Sequence, residues 1–343
     1  MYLINIIIIT ILMLFNTVYG SNFSLISDIG ASAQSIALGN IEGSSRTADA
    51  IFSNPAGLYQ IRNYSVSLFQ TTVMNDITYI NASLCKHTRY GNFGIGYYSS
   101  SVDNIPFTFE DPTNNNEFMI KNMYSYKNQI AKLAYQMKVT RRFHVGLNYT
   151  KYKVDFHDIY ASGYGFDLGL LKIFKYFTLS TFIQNINQGN ITYKSTSDAN
   201  YSATEKAPLS VSSSLRIAIW DLILYPQIKL QNNHFLPSAG IQYRPSFLPF
   251  LKLNSGFRQL LDYANQKHAK ASFGVDLKLS SLNFHYAYER SEYILQDHTS
   301  YFSFTYNFKV GNSKKPGIAG KSSSALFLPP PCSILRNCLS TFS

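Results

Sequence analysis

Seven histidines, His87, His144, His157, His234, His268, His285 and His298, are the residues best suited to proton transfer or metal ligation near neutral pH. Their spacing matches no metal-ligand pattern, and no G-x-S-x-G context accompanies them. The three cysteines, Cys85, Cys332 and Cys338, form no C-x-x-C pair; Cys332 and Cys338 are near enough in sequence to bridge, while Cys85 stands alone. What remains is a scattered charged set: Lys132, His144, Asp167, Arg216, Asp276, His285 and Glu289, with Lys138, Lys270 and Lys278 beside them. His144 and His285 would do acid–base work only if folding brought a serine and a carboxylate to them across a shared interior. No enzyme activity, metal or cofactor is expected.

These residues share a setting. Each sits on the polar side of a run that alternates with period two, the mark of a strand with one apolar face. Leu282, Phe284, Tyr286 and Tyr288 alternate with Asn283, His285, Ala287 and Glu289. Phe302, Phe304, Tyr306 and Phe308 alternate with Tyr301, Ser303, Thr305 and Asn307. Ala271, Phe273, Val275, Leu277 and Leu279 form another face, as do Phe143, Val145, Leu147 and Tyr149. About fourteen such runs follow Tyr64, near 64–73, 76–87, 90–102, 123–139, 142–156, 160–173, 176–187, 207–219, 221–231, 235–244, 250–259, 268–279, 282–292 and 299–308. Each is long enough to cross a thin bilayer when tilted, and the even number suits closure. A sandwich of two sheets would use shorter strands with polar outer faces. The expected fold is all-β, a transmembrane antiparallel barrel, because lipid satisfies no backbone polar group and only a closed sheet leaves no open edge.

Short joins near 74–75, 140–141, 174–175 and 280–281 and longer polar ones at 103–122, 157–159, 188–206 and 293–298 roughly alternate, as turns and loops at opposite membrane faces do. The join at 220–221 is short where this scheme wants a long one. The register puts Phe304 toward lipid and Thr305 toward the lumen, so arginine should be costly at the first position and tolerated at the second. The charged set would then be lumen-facing, lining a passage or pairing across it.

Composition agrees. Charged residues are 14% and aromatics 15%, with Tyr and Phe far outnumbering the single Trp. The formal net charge is +11, without a basic helix carrying interleaved aromatics, so nucleic acid is not an expected partner; anionic ligands or lipid head groups suit the charge better. Residues 1–20 are apolar and end in Val18-Tyr19-Gly20, a signal peptide by pattern, though without a basic residue before the apolar run. Residues 309–343 turn abruptly to Lys, Gly, Ser and Pro and read as a disordered extension.

Between them, residues 21–63 do not alternate. Ala31 to Leu58 is rich in Gly, Ala and Ser and ends in Ser53-Asn54-Pro55-Ala56-Gly57-Leu58. Pro55 forbids a central strand and biases Asn54 away from the helical region, Gly57 permits a positive φ, and Asp49 is placed to cap backbone N–H groups. A fourteen-strand lumen is too wide for side chains alone to fill. This segment is therefore expected to be a plug, or hatch, with Gly39, Asp49, Asn54, Pro55, Ala56 and Gly57 forming its gate, inside a barrel of residues 64–308.

The run Gly30-Ala31-Ser32-Ala33-Gln34-Ser35-Ile36-Ala37-Leu38-Gly39-Asn40, with Thr47-Ala48-Asp49-Ala50 and Asn54-Pro55-Ala56-Gly57-Leu58, resembles the N-terminal signature of the PorV/PorQ family within the FadL-type outer-membrane transporters. Gly165-Phe166-Asp167-Leu168-Gly169, Phe182-Ile183-Gln184-Asn185, Ala207-Pro208-Leu209-Ser210-Val211 and His298-Thr299-Ser300-Tyr301-Phe302-Ser303-Phe304 resemble its later strands. The sequence departs from that pattern at Asn40, where a second glycine is common, and in its last 35 residues. The resemblance implies a fourteen-stranded barrel with an N-terminal hatch in the outer membrane of a Gram-negative-type bacterium, inserted by the barrel assembly machinery through its aromatic closing strand. FadL-type members pass hydrophobic ligands through the hatch region and sideways through the wall. PorV and PorQ relatives instead serve type IX secretion as a cargo shuttle or surface attachment. Outer-membrane lipid, a hydrophobic ligand and secretion-system proteins are the implied partners.

Overall fold

The structure, a computed structural model, describes residues 29–73, 76–111, 117–198, 200–261, 265–290 and 299–308. The expected signal segment, residues 21–28, His298, Cys332, Cys338 and the extension 309–343 lie outside the described residues.

Sixteen hydrogen-bonded segments make one antiparallel sheet. In order they are β1 (Tyr64–Val73), β2 (Ile77–Thr88), β3 (Gly91–Asp111), β4 (Glu117–Thr140), β5 (Phe143–Phe156), β6 (Ile159–Ile173), β7 (Phe177–Gln184), β8 (Asn190–Ser195), β9 (Ser202–Lys206), β10 (Ser210–Ile219), β11 (Leu222–Gln231), β12 (His234–Tyr243), β13 (Leu251–Leu261), β14 (Lys267–Leu279), β15 (Leu282–Glu289) and β16 (Thr299–Asn307). Two of them are continuations: β8 extends the path of β7 along β6, and β9 extends β10. Merged, they give fourteen staves, closed where β1 pairs with β16, Ser65 opposite Asn307 and Leu68 opposite Phe304. The closed antiparallel barrel of fourteen strands is the one the alternation predicts.

The outer face is apolar and exposed: Leu68, Leu84, Ile95, Leu133, Leu147, Phe166, Ile241, Phe273, Phe302 and Phe304 all point away from the lumen. The inner face is buried and mostly small and polar, with Ser65, Ser67, Asn81, Ser83, Asn148, Thr150, Ser180, Ser212, Ser272 and Ser303 among it. This is a water-soluble protein turned inside out. The barrel belongs in a bacterial outer membrane, where lipid solvates the outer face.

The joins differ from expectation in height. Strands β3 and β4 continue through the expected loop 103–122 as a paired hairpin of 21 and 24 residues, with register shifts near Val102/Ile105 and Phe107/Thr108. At about 3.3 Å per residue β4 runs roughly 80 Å, far beyond the ~25 Å of an apolar band. The expected loop 188–206 contains the β8–β9 hairpin. Strand parity also reassigns two joins. The 220–221 turn lies at the same end as 141–142, 174–176 and 280–281, where a short join belongs; the β1–β2 join lies at the opposite, loop-bearing end.

The tolerance expected for Thr305→Arg is overturned. Phe304 is 42% exposed, but Thr305 is only 1% exposed and faces Ser67 Oγ across the seam at 3.4 Å. The lumen there is packed, so arginine has no water to reach. Phe304→Arg should cost about 2–4 kcal/mol near the midplane. Thr305→Arg should lower the yield of heat-modifiable folded barrel at least as much, and wild-type yield of that variant would contradict the packing.

Candidate functional site

Residues 29–61 fill the ring of strands. Helix α1 (Ala33–Ala37) begins at Ser32, whose hydroxyl accepts from Ser35 N–H while Ser35 Oγ accepts from Ser32 N–H. This capping box stabilises a helix of five residues that could not stand alone. Two 3₁₀ turns follow, Ala48–Ile51 and Pro55–Gln60. Asn54 caps the second: its Oδ1 accepts from Ala56 N at 2.9 Å, and Pro55 occupies the first helical position, where its missing N–H is no loss.

The residues expected to form the gate have distinct placements. Asp49 is buried and, among the described residues, receives hydroxyl rather than backbone N–H donors. Its carboxylate accepts the hydroxyls of Ser32 (2.7 Å), Ser45 (2.6 Å) and Thr47, tying the helix to the first 3₁₀ turn. Gly57 is not in the left-handed region; a Cβ there would lie 2.6 Å from Ser45 O, so close packing is what requires glycine. Gly39 does have a positive φ, 73°, and Asn40 follows at 55°. Asparagine tolerates that conformation better than other side chains, which suits Asn40 to this position.

The plug is bonded to strands all round the ring. Ala48 N donates to Ser65 Oγ (3.2 Å), Asn81 Nδ2 to Ala31 O (3.1 Å), Asn92 Nδ2 to Leu58 O (2.6 Å) and Asn148 Nδ2 to Ile51 O (2.8 Å). Asn54 Nδ2 donates to Ser180 Oγ (2.7 Å) and Thr181 O (3.1 Å). On the far side Ser272 Oγ donates to Ile36 O (2.6 Å), and Ala33 N to Ser303 Oγ (3.1 Å). Glu42 pairs with Lys229 at 3.4 Å and accepts from Ser212. Glycines make room: a Cβ on Gly146, Gly169, Gly240, Gly256 or Gly274 would lie 2.0–2.5 Å from a plug or neighbouring atom. Asn54→Ala removes the cap and the wall bonds together. It should cost about 1–2 kcal/mol and increase protease cleavage after Arg46 or Arg62 in the folded barrel, whereas unchanged cleavage would show that Asn54 does not hold the plug.

The lumen-facing candidates are brought together in pairs rather than into one site. Lys132 Nζ meets Asp167 Oδ2 at 2.7 Å, both fully buried. Asp276 Oδ1 meets His285 Nδ1 at 2.8 Å, and its Oδ2 accepts Gln34 Nε2 of the plug at 2.9 Å. Glu289 binds Arg258 (2.8 Å) and Lys270 (3.2 Å). His144 stacks on Tyr59 of the plug with ring centroids 4.3 Å apart. Arg216 is half-buried near Arg46 of the plug. His285 thus has a carboxylate partner, whereas His144 lies against Tyr59 and Gln136, so among the described residues the two histidines are not brought to one carboxylate. Among the described residues no group of three or more His, Cys, Asp or Glu is placed to hold a metal.

Two features escaped the sequence reading. The first is an aromatic layer on the nominally polar face: Phe69, Tyr79, Tyr98, Tyr152 and Tyr301 point inward and pack with Ile130, Ile191 and the plug residues Ala33 and Ile36. Phe69 and Tyr79 lie 5.4 Å apart, Tyr79 and Tyr98 5.3 Å, and Tyr79 Oη donates to Gly30 O at 3.0 Å.

The second is a break in the wall. Between Leu168↔Ile183 and Ser162↔Thr192, β6 has five residues (163–167) where its neighbour has eight (184–191). Toward β9 and β10 the mismatch is five residues (185–189) against three (207–209). Asn185 and Gln188 have positive φ, 55° and 43°. Side chains stand in for missing ladder bonds: Asn187 Oδ1 accepts from Phe166 N (3.0 Å), Asn185 Nδ2 donates to Pro208 O (2.9 Å), and Asp167 Oδ1 accepts from Asn185 N (3.0 Å). A cavity of about 40 Å³ lies beside the break, lined by Gln188, Ala207, Pro208, Leu209, Val211 and Leu230. The signal was present in Asn185-Ile-Asn187-Gln-Gly189 and in Pro208, which cannot donate to a ladder.

No protein-family model matches the chain, and no curated protein does. Solved structures do. The Pseudomonas putida toluene transporter TodX aligns with TM-score 0.57 and 15% identity over 81% of this chain and 98% of its own. The Ralstonia pickettii toluene transporter TbuX gives 0.55 and 12% over 81% and 98%. A Pseudomonas aeruginosa FadL homologue gives 0.53 and 12% over 81% and 98%. At these identities the shared property is the fold, and the barrel described above has the fold of those proteins.

Proposed function

We propose that the protein is a passive conduit for small apolar molecules across the outer membrane. The observation that carries this reading is the combination of an inward aromatic layer above the plug with the interrupted wall at residues 185–189. An apolar solute gains from the aromatic layer what it would lose in water, and a wall whose ladder is held by Asn185 and Asn187 side chains opens at less cost than a continuous one. The toluene transporters that share the fold lend the substrate class; a monoaromatic hydrocarbon is the first probe. Deleting residues 186–188 restores the register between β6 and its neighbour. The deletion should leave the barrel folded and reduce toluene uptake by cells that depend on this protein. Undiminished uptake through a correctly folded deletion variant would refute the route.

One observation favours a second reading, the interaction component of a secretion system that the sequence resemblance implies. The projecting β3–β4 hairpin exposes Phe107, Phe109, Phe118, Met119, Ile120 and Met123 far from the plug, an apolar surface of the kind that partners cover. Recovery of secretion components with the intact protein, and their loss on removing the hairpin tip, would favour this reading over the first.

A further inference from the structure

At the short-turn end of the lumen, beneath the plug, the charges are one-sided. Arg244, just beyond β12, faces Lys252 of β13 across the register that pairs Tyr243 with Leu253; Arg216 stands on the same side of β10 as the buried Ser212 and Ser214, and Arg46 of the plug lies near Arg216 and Arg244. Among the described residues two acids are close, and both are occupied. Asp276, the register partner of Lys252, holds His285 and Gln34, and Asp221 takes Ser246 Oγ on both oxygens at 2.7 Å. Arg46 donates one Nη1 bond to Tyr59 Oη at 2.5 Å, while its Nε and Nη2 are buried with no hydrogen-bond partner. Arg244 spends its Nε and Nη2 on the neutral Gln242 Oε1, at 2.8 and 2.6 Å. Burial draws the guanidinium pKa of Arg46 below its usual value, with Tyr59 opposing and Arg216 reinforcing the effect.

Buried guanidinium donors left unpaired are costly, and so is crowding like charges. An oxyanion relieves both. Guanidinium forks match phosphate and carboxylate oxygens in pairs. Three guanidinium groups and an ammonium offer more donors than the two oxygens of a carboxylate can use, whereas a phosphate group presents three or four. We propose that Arg46, Arg216, Arg244 and Lys252 form a phosphate-binding site that ties the floor of the plug to the barrel wall. The site is open at the short-turn mouth, because Arg244 is exposed and Arg216 and Lys252 are half-buried. It stands independently of whether the barrel conducts apolar solutes.

The test is calorimetric titration of the full-length barrel in detergent at fixed ionic strength, with inorganic phosphate in one arm and a short-chain phosphatidic acid in the other. Saturable binding of inorganic phosphate identifies a free phosphate as sufficient; binding of the lipid alone identifies a headgroup. Arg46→Gln should weaken either by roughly tenfold or more, since each charge-assisted bond is worth that much. Lys252→Gln, at a half-buried position on the barrel wall, should weaken it as well and guards against misfolding of the Arg46 variant. No saturable binding in either arm, or equal binding by wild type and a folded Lys252→Gln variant, overturns the proposal.

Discussion

Lys132→Met will destabilise the barrel by about 3–5 kcal/mol, the usual consequence of stripping one partner from a buried ion pair. The remaining charge would be Asp167, 0% exposed and, among the described residues, otherwise served by Asn148 and Thr150 at 3.3 Å and by the backbone N–H of Asn185 at 3.0 Å. Those neutral donors do not compensate a carboxylate that has lost its ammonium. Adding Asp167→Asn should recover most of the loss, because the pair is then neutral and the amide oxygen still accepts from Asn185 N–H. Denaturant unfolding of the single and double variants, read by heat-modifiable migration, checks this. If the single variant loses less than about 1 kcal/mol, the pair is solvated and the packed lumen described above is wrong. The Asn185 bond also links this pair to the wall break, so the single variant should loosen residues 185–189 first, visible as faster amide exchange there than in β13.

Gly256→Val will unseat the plug. A Cβ at 256 would lie 2.1 Å from Gly39 N, 2.6 Å from Leu38 C and 2.8 Å from Ala37 O. All three are backbone, so no rotamer change clears the space. Overpacking costs typically about 1–3 kcal/mol when side chains can shift; here the plug itself must move. Gly240, the register partner of Gly256, meets Leu38 O at 2.5 Å, and the same substitution there should have the same phenotype without adding to the first, since both spoil one seat. The expected result is a barrel of normal yield that passes ions in planar bilayers, where the wild type is closed. Closed bilayer records from a folded Gly256→Val barrel would mean that the plug is not what seals it.

The fold was legible because its rule is local. Alternation along Leu282–Glu289 or Phe302–Phe308 places each outward residue correctly with no knowledge of the neighbours, since lipid treats every stave alike. The heights of the hairpins were not legible, because pairing beyond the membrane in β3 and β4 needs only a partner strand and leaves no lipid-facing signature in residues 103–122. The interior was read in kind but not in arrangement. Lys132, His144, Asp167, Asp276, His285 and Glu289 were singled out as polar-face residues, yet which acid meets which base depends on tilt and register across strands as far apart as Lys132 and Asp167. Phe69, Tyr79 and Tyr301 were missed because an inward aromatic interrupts no alternation: it simply occupies a polar slot. Asp49 was noticed for its proximity to a turn, but its partners Ser32 and Ser45 come from a bend that nothing in the local sequence announces.

The plug's bonds also dictate an order of events. Its residues are made early, but several of their partners are made near the end: Ala33 to Ser303, Ile36 to Ser272 and Gln34 to Asp276 span separations of 270, 236 and 242 residues. Contacts of such range are the slow ones in folding, since the intervening loop must be closed before they give anything back. The N-terminal segment therefore has no complete seat until β14 and β16 are in place, and once β16 zips onto β1 the ring has shut around it. Threading a preformed barrel afterwards would mean pulling thirty-odd residues past the glycine ledges that fit them so closely. Closure and loading are in this protein a single step, and a substitution at the Leu68–Phe304 seam should delay both together.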